Sequence, residues 1–142
     1  MKVLVIDEIL NSYQHDFDIN VSGENSIISF DRTHFYQIIT NLIQNALDAC
    51  EKDDTILIKI TKNNMKILIS ISDSGKGIKQ EDIDKIFEPY FTKKKKGTGL
   101  GLALVKKLVD VNNSTINVTS KVNEGSCFEI DVPNRFIKTQ EK

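Results

Sequence analysis

The chain has little of several features that define large classes of protein. Its 142 residues include two cysteines, Cys50 and Cys127, which lie far apart and lack a CxxC partner. Such sparse usage argues against a disulfide framework or a thiolate metal site and is typical of a reducing compartment. Cys50 has helical spacing from the apolar residues before it, so we expect it to pack as a small apolar side chain.

An excess of charge of one sign and long apolar runs are also lacking. The formal net charge is −1, whereas a protein that binds nucleic acid or an anionic membrane needs a net basic face. No apolar run approaches the ~18 residues that span a bilayer, and no signal-peptide pattern opens the chain. We therefore expect a cytoplasmic domain that contacts neither nucleic acid nor membrane.

Glycine is scarce but concentrated. Five of the seven glycines fall in two short clusters, DSGKG at residues 73–77 and GTGLGL at residues 97–102. Glycine permits positive φ and close approach of the backbone at an entropic cost. A chain that uses it so unevenly is shaping its backbone around a ligand, and the second cluster opens a helix whose N-terminal amides favour phosphate. Neither GxGxxG nor the P-loop pattern is present.

Hydrophobic periodicity predicts one domain with antiparallel hairpins on either side of two long helices. This order indicates a two-layer α/β sandwich, with a mixed, mostly antiparallel sheet and helices on one face. The last helix is expected to turn Leu104, Leu108 and Val111 inward. The predicted helices are 3–13, 32–51 with Asp31 as N-cap, a short one near 81–86, and 99–111; the predicted strands are 17–21, 27–30, 55–62, 65–73, 114–120 and 126–132, with turns at Asn63-Asn64 and 123–125 and with Pro133 ending the last strand.

One strand carries a carboxylate in its apolar phase. Met65, Ile67, Ile69 and Ile71 alternate, and the same phase places Asp73 on the core side at the end of the strand. An aspartate before Ser-Gly is often a turn residue that satisfies local amides. The alternative is an acceptor for a ligand's amine at the floor of a pocket, with Gly75 and Gly77 as its wall.

The long helix at 32–51 carries amides where surface residues are expected. Asn41, Asn45 and Asp48 fall at i, i+4 and i+7, so they share one stripe roughly opposite the core stripe. A solvated face would explain them, but asparagine is a poor residue for the interior of a helix. Its carbonyl oxygen suits Mg²⁺ at a nucleotide site, and Asn45 is the candidate ligand.

Four motifs in order complete the pattern: NLIQNALDA at residues 41–49, DSGKG at 73–77, FEPYF at 87–91 and GTGLGL at 97–102. They closely resemble the four motif boxes of bacterial sensor histidine kinases, and the resemblance covers residues 17–133. The chain is similar to the catalytic, ATP-binding domain of that family, which has the Bergerat fold of DNA gyrase and Hsp90.

The resemblance implies an ATP cleft in which Asp73 holds the adenine amine and Gly77 lies against the base. It implies that Asn41 and Asn45 are catalytic, that Asn45 binds Mg²⁺, and that residues 92–98 form a lid anchored by Phe87 and Phe91. The four lysines at 93–96 suit a solvated loop, although one or two could contact the phosphates. The full set of expected nucleotide-binding residues is Asn41, Asn45, Asp48, Asp73, Gly75, Gly77, Ile78, Phe87, Phe91, Thr92, Lys93, Gly97, Thr98, Gly99, Leu100, Gly101 and Leu102.

Position 41 separates branches of the family. The ATP-hydrolysing branches have a glutamate there, whereas Asn41 cannot act as a base, so transfer to a better nucleophile than water is favoured. Neither His15 nor His34 fits an acceptor on a helical hairpin. We expect residues 1–14 to be the end of a linker, 15–134 the ATP-binding domain and 135–142 a flexible tail.

The acceptor is then a histidine on a dimerisation domain of the same parent protein, with a response regulator downstream. The isolated domain would be a monomer and its parent a homodimer, and whether the parent is anchored in the inner membrane stays open. Two alternatives stay open: a serine kinase of the anti-sigma-factor type, and a nucleotide-binding module without transfer activity.

Overall fold

The computed structural model describes residues 18–23, 30–92 and 99–133, the first of these ranges by its backbone only. The predicted helix at 3–13, the extended piece at 27–30 apart from Phe30, and the proposed linker and tail lie outside these ranges. The strands are β1 (Asp18–Gly23), β2 (Thr55–Lys62), β3 (Lys66–Asp73), β4 (Thr115–Lys121) and β5 (Gly125–Pro133), and the helices are α1 (Arg32–Ala49), α2 (Gln80–Ile83) and α3 (Gly101–Val111).

The five strands form one sheet in the order β1-β2-β3-β5-β4. β1 runs parallel to β2, and every other neighbouring pair is antiparallel. One face carries the core, because alternate residues of β2, β3 and β5 are buried. The helices α1 and α3 pack on this face. The predicted fold class, a mixed and mostly antiparallel α/β sandwich, is confirmed.

Helix α1 begins and ends close to the predicted bounds. The Asp31 carboxylate accepts a hydrogen bond from the His34 backbone N–H at 2.9 Å, as expected of an N-cap. The helix buries a continuous stripe of Phe35, Ile38, Ile39, Leu42, Ile43 and Ala46. Cys50 follows as the C-cap and is half-buried against the core, where desolvation and the nearby carboxylate of Asp73 raise the pKa of its thiol to about 11. It packs as an inert residue, as expected.

The turn between β2 and β3 lies at Asn63-Asn64, as predicted, but it does not use the left-handed conformation that asparagine tolerates. Neither Asn63 nor Asn64 has positive φ. Instead, the Asn63 side-chain oxygen accepts hydrogen bonds from the backbone N–H groups of Met65 at 2.7 Å and Lys66 at 2.9 Å. Met65 therefore lies in the turn and is 78% exposed, so its expected place in the buried phase of the strand is wrong.

The inward face of α3 is also different. Val105, Leu108 and Val109 are buried, whereas Leu104 is 39% and Val111 59% exposed. The helix carries apolar residues around much of its circumference, so several stripes fit a 3.6-residue period and the sequence does not choose between them. Of the three residues expected to face inward, only Leu108 does so.

Candidate functional site: a cleft between two helices and the end of the sheet

A cleft of about 740 Å³ opens between α1, the N-terminus of α3 and the loops that follow β3 and β4. Ten of the expected nucleotide-binding residues line it: Asn41, Asn45, Asp48, Gly77, Ile78, Phe91, Thr92, Gly99, Gly101 and Leu102. Lys93, Gly97 and Thr98 lie outside the described residues. The other four, Asp73, Gly75, Phe87 and Leu100, lie next to the cleft without lining it.

The α1 wall presents oxygen donors. Asn41, Asn45 and Asp48 lie on the cleft side of the helix, as their spacing predicts. The Asp48 carboxylate accepts a hydrogen bond from the Gln44 side-chain amide at 2.9 Å, which fixes its orientation along the wall. Across the cleft, a Cβ placed on Gly101 would lie 3.7 Å from the side-chain oxygen of Asn41. The amide of Asn41 therefore faces the first turn of α3.

The floor of the cleft is the point where β3 ends beside the start of β5. Asp73 pairs with Ser126 in the sheet register. Its carboxylate accepts hydrogen bonds from the backbone N–H groups of Gly75, at 2.9 Å, and Ser126. Asp73 is 8% exposed, and burial raises its pKa above the ordinary value, against the lowering effect of these two bonds. The predicted buried position of Asp73 is confirmed, directly behind Ser126, which lines the cleft.

The loop after β3 is held too tightly to tolerate side chains at its glycines. A Cβ on Gly75 would lie 2.3 Å from the carbonyl oxygen of Ala49. Gly77 has φ of +73°, and its Cβ would lie 2.1 Å from the carbonyl oxygen of Lys121. Both glycines are thus required by close backbone contacts, and Gly77 also by its left-handed conformation.

The opposite wall ends at the N-terminus of α3. Leu100 is the N-cap residue and supplies no side-chain capping bond, so first-turn N–H groups of α3 are available to a ligand. Gly99 has φ of +75° and lies against Tyr90, whose N–H donates to the Gly99 carbonyl oxygen at 2.8 Å. This contact joins the FEPYF segment to the start of α3.

The two aromatic residues of the FEPYF segment have different surroundings. Phe91 lines the cleft. Phe87 instead packs edge-to-face on Phe128 of β5, with ring centroids 6.3 Å apart. Phe87 therefore ties the segment to the core and makes no wall of the cleft.

Nine residues of the wall were not predicted from the sequence: Gln44, Ala49, Lys76, Lys79, Asp82, Ile86, Val122, Asn123 and Ser126. Gln44, Ala49 and Lys76 lie within motifs that were found, so helical spacing or chain proximity could have indicated them. Ser126 reaches the cleft through the antiparallel pairing of β3 with β5, and Val122 and Asn123 lie in the turn between β4 and β5, which short-range patterns do not bring to the cleft.

The donor set suits a hard cation more than a soft one. The wall offers amide and carboxylate oxygens from Asn41, Asn45 and Asp48. Mg²⁺ binds such protein oxygens together with phosphate oxygens and water. Within the described ranges there is no cluster of three or more His, Cys, Asp or Glu side chains that could hold a metal alone. The residues present therefore fit a cation that arrives with a phosphate ligand.

The cleft combines a glycine-rich helix N-terminus that suits phosphate, an oxygen-rich wall opposite it and a buried carboxylate at its floor. These features define a nucleotide-binding domain. The model of the family "Histidine kinase-, DNA gyrase B-, and HSP90-like ATPase" matches residues 30–135, and the chain belongs to this family. Membership implies that it binds ATP.

Relatives and solved structures agree with this assignment. The chain is 40% identical to sensor histidine kinase ZraS of Escherichia coli over 106 residues, 75% of this chain and 23% of that protein. It is 32% identical to sporulation kinase A of Bacillus subtilis over 127 residues, 89% of this chain and 20% of that protein. It thus spans about a quarter or less of these curated relatives.

The nucleotide-free catalytic domain of histidine kinase ThkA superposes with a TM-score of 0.79 at 28% identity, over 94% of both chains. A mycobacterial sensor histidine kinase, MprB, has the same fold, with a TM-score of 0.85 at 22% identity over 94% of this chain and 97% of that one. Within the described ranges, no helix is long and apolar enough to cross a membrane.

Proposed function

We propose that this chain binds Mg²⁺-ATP in the cleft and transfers the γ-phosphoryl group to a histidine on a separate dimerisation domain of its parent protein. From there the phosphoryl group would pass to a response regulator. The observation that carries this proposal is the opposition of the two cleft walls, with Asn41 of α1 facing Gly101 at the start of α3.

The floor of the cleft is the base end. The ionised Asp73 carboxylate accepts from the exocyclic amine of adenine, and its own position is fixed by the N–H groups of Gly75 and Ser126. Gly77 allows the base to lie against bare backbone. Ile78 and Leu102 supply apolar wall.

The start of α3 is the phosphate end. Gly97, Gly99 and Gly101 let the backbone approach, and first-turn N–H groups with the positive end of the helix dipole stabilise the anion. Asn45 would hold Mg²⁺, and the bound cation would offset the negative charge of the phosphates. Asn41 lines the same region and orients the γ-phosphate. The resemblance to histidine kinases assigns Thr92 and Lys93 to the lid.

The α1 wall lacks a base where a hydrolytic enzyme needs one. The amide of Asn41 cannot take a proton from water, whatever its orientation. Among the described residues the carboxylates that line the cleft are Asp48 and Asp82. Asp48 is engaged by Gln44. Because position 41 carries an amide in place of a carboxylate, we expect slow hydrolysis, so that a histidine nucleophile presented from outside competes successfully with water.

His34 is not that nucleophile. Its Nδ1 lies 3.1 Å from the side-chain nitrogen of Asn112, the C-cap of α3. Asn112 follows Gly101 by eleven residues, so His34 lies about 16 Å from the phosphate end at 1.5 Å per residue. His15 lies outside the described residues. An acceptor on another domain also requires the parent to bring the two domains together, as a cytoplasmic homodimer would.

Transfer is tested by incubating the chain with γ-labelled ATP and Mg²⁺, together with either a histidine-bearing dimerisation domain or an anti-anti-sigma protein. We expect acid-labile, base-stable phosphate on the histidine domain alone, and none on this chain. Acid-stable label on the second acceptor would instead support a serine kinase. Label on neither, from a chain that binds ATP, would support a binding module without transfer activity.

A further inference from the structure

A pair of serine hydroxyls connects the cleft floor to the loop after β3. The Ser120 hydroxyl oxygen, at the end of β4, accepts a hydrogen bond from the Ile78 backbone N–H at 2.8 Å. The same oxygen lies 2.9 Å from the carbonyl oxygen of Gly125 and 2.8 Å from the hydroxyl oxygen of Ser126. Ser126 is 7% exposed and lines the cleft next to Asp73.

The number of protons fixes the direction of these bonds. A carbonyl oxygen cannot donate, so the bond to Gly125 requires the single hydroxyl proton of Ser120. The contact between the two hydroxyls is then a hydrogen bond only if Ser126 donates to Ser120. In this arrangement Ser120 donates once and accepts twice, from Ile78 and Ser126, so all of its hydrogen-bonding capacity is used.

The direction determines what Ser126 offers to the cleft. Its proton is committed to Ser120, so only oxygen lone pairs remain for a ligand. Asp73 behind it is also an acceptor when ionised. We propose that Ser120 is a positioning residue for base selectivity. Because Ser120 holds the Ser126 proton, the side chains at the cleft floor can only accept hydrogen bonds from position 6 of a purine. This arrangement favours a purine with a 6-amino group over one with a 6-oxo group. This inference rests on the proposed function, because it places a purine at this floor.

The surrounding contacts keep Ser120 in place. The Gln80 side-chain amide donates to the Ser120 carbonyl oxygen at 2.9 Å, and the Asn123 N–H donates to the carbonyl oxygen of Lys76 at 2.8 Å. The loop and the β4–β5 turn are thus joined by bonds that do not use the Ser120 hydroxyl. Ser120→Ala should therefore free the Ser126 proton without separating the two segments.

The test compares ATP with inosine triphosphate by calorimetric titration of the whole chain. Inosine triphosphate carries a 6-oxo group and a proton on N1, where ATP has a 6-amino group and an unprotonated N1. The N1 difference is the same for every variant, so the change in the affinity ratio between variants reports on the 6-position. We expect the wild type to prefer ATP. In Ser120→Ala the Ser126 hydroxyl can rotate and donate to a 6-oxo group, so the ratio of the two affinities should fall by about fivefold, the equivalent of one hydrogen bond. Ser120→Thr keeps the hydroxyl and should keep the ratio. Thr119→Ala, on the neighbouring exposed position of β4, is the matched control.

Two outcomes would overturn the inference. An unchanged ratio in Ser120→Ala would show that Ser126 does not depend on this proton, and an equal loss of both affinities would show that Ser120 is only structural. Should Ser120→Ala fail to fold, Ser126→Ala gives the second test, since it removes the acceptor but keeps the bond from Ile78 and must also lower the ratio. A wild type that binds neither nucleotide would overturn the proposed function itself, and this inference with it.

Discussion

Replacing Asp73 by Asn should separate nucleotide affinity from stability. The carboxylate group of Asp and the carboxamide group of Asn have nearly the same shape, so the substitution creates no cavity. The amide oxygen can still accept from the Gly75 N–H, which lies 2.9 Å from the carboxylate. The amide NH₂ group, however, is a donor and cannot accept from the exocyclic amine of adenine.

The magnitude follows from burial. Losing a charge-assisted hydrogen bond at a site that is 8% exposed should weaken ATP binding by about 1–3 kcal/mol, or roughly 5–150-fold. Stability should respond differently. Desolvation raises the pKa of Asp73 from the ordinary 3.8, so the proton binds more tightly to the folded chain than to the unfolded one.

That sign has a direct consequence for pH dependence. With a raised folded-state pKa, the contribution of Asp73 to stability is complete below its unfolded pKa and is lost as pH rises through the folded pKa. At neutral pH the ionised carboxylate therefore destabilises the fold, and Asn removes this effect. Asn can lose a backbone hydrogen bond in exchange, so the free energy of unfolding should fall by no more than about 1 kcal/mol, the net value of one hydrogen bond. Adenosine affinity of the wild type should conversely weaken as pH falls through the raised pKa of Asp73.

Calorimetry with ATP and thermal unfolding without ligand measure the two effects. Asp54→Asn is the matched control, because Asp54 is a neighbouring carboxylate that raises the pKa of Asp73 but is not among the expected nucleotide-binding residues. It should leave affinity near wild type. Unchanged ATP affinity in Asp73→Asn would show that the base does not bind at this floor. A large loss of stability would show that Asp73 acts mainly on the fold.

Three further experiments test the walls. Asn45→Ala should remove the Mg²⁺ dependence of ATP binding, measured by titration with and without the cation. Gln37→Ala on the same helix is the control and should keep this dependence. An equal Mg²⁺ dependence of ATP binding in the two variants would place the metal elsewhere. Asn41→Glu should raise slow ATP hydrolysis, followed by phosphate release, and an unchanged rate would refute the assigned role of position 41. Gly77→Ala should lower the melting temperature by several degrees, since its Cβ would lie 2.1 Å from the Lys121 carbonyl oxygen and φ is positive. Gly101→Ala, whose Cβ meets nothing closer than 3.7 Å, should keep the free energy of unfolding within about 0.5 kcal/mol and weaken ATP binding. A larger loss of stability in Gly101→Ala than in Gly77→Ala would contradict the geometry of the two loops.

The elements that sequence reasoning placed well are those with a single strong period. Helix α1 has one apolar stripe ended by a polar face and an aspartate cap, so its bounds and its cleft residues follow from spacing. The phase of β3 likewise placed Asp73 on the buried side. The resemblance of four ordered motifs added the fold and the place of the cleft.

What sequence reasoning missed depends on contacts between distant segments. The face of α3 was misplaced because Leu104 and Val105 are equally apolar, and only packing against α1 selects between them. Ser126 reaches the cleft through strand pairing and Asn123 through its backbone hydrogen bond to Lys76, and both lie more than forty residues from the Gly75–Gly77 loop. The turn at Asn63 was placed correctly, but its side-chain hydrogen bonds were not foreseen.

The most direct test of this account is calorimetric titration of the wild-type chain with ATP, in the presence and absence of Mg²⁺. We expect one site per chain, tighter binding with Mg²⁺, and displacement by ADP, because the adenine site binds both nucleotides and the cation acts at the phosphates. Absence of binding, or binding that ADP does not displace, would contradict the assignment of the cleft as an adenine-nucleotide site.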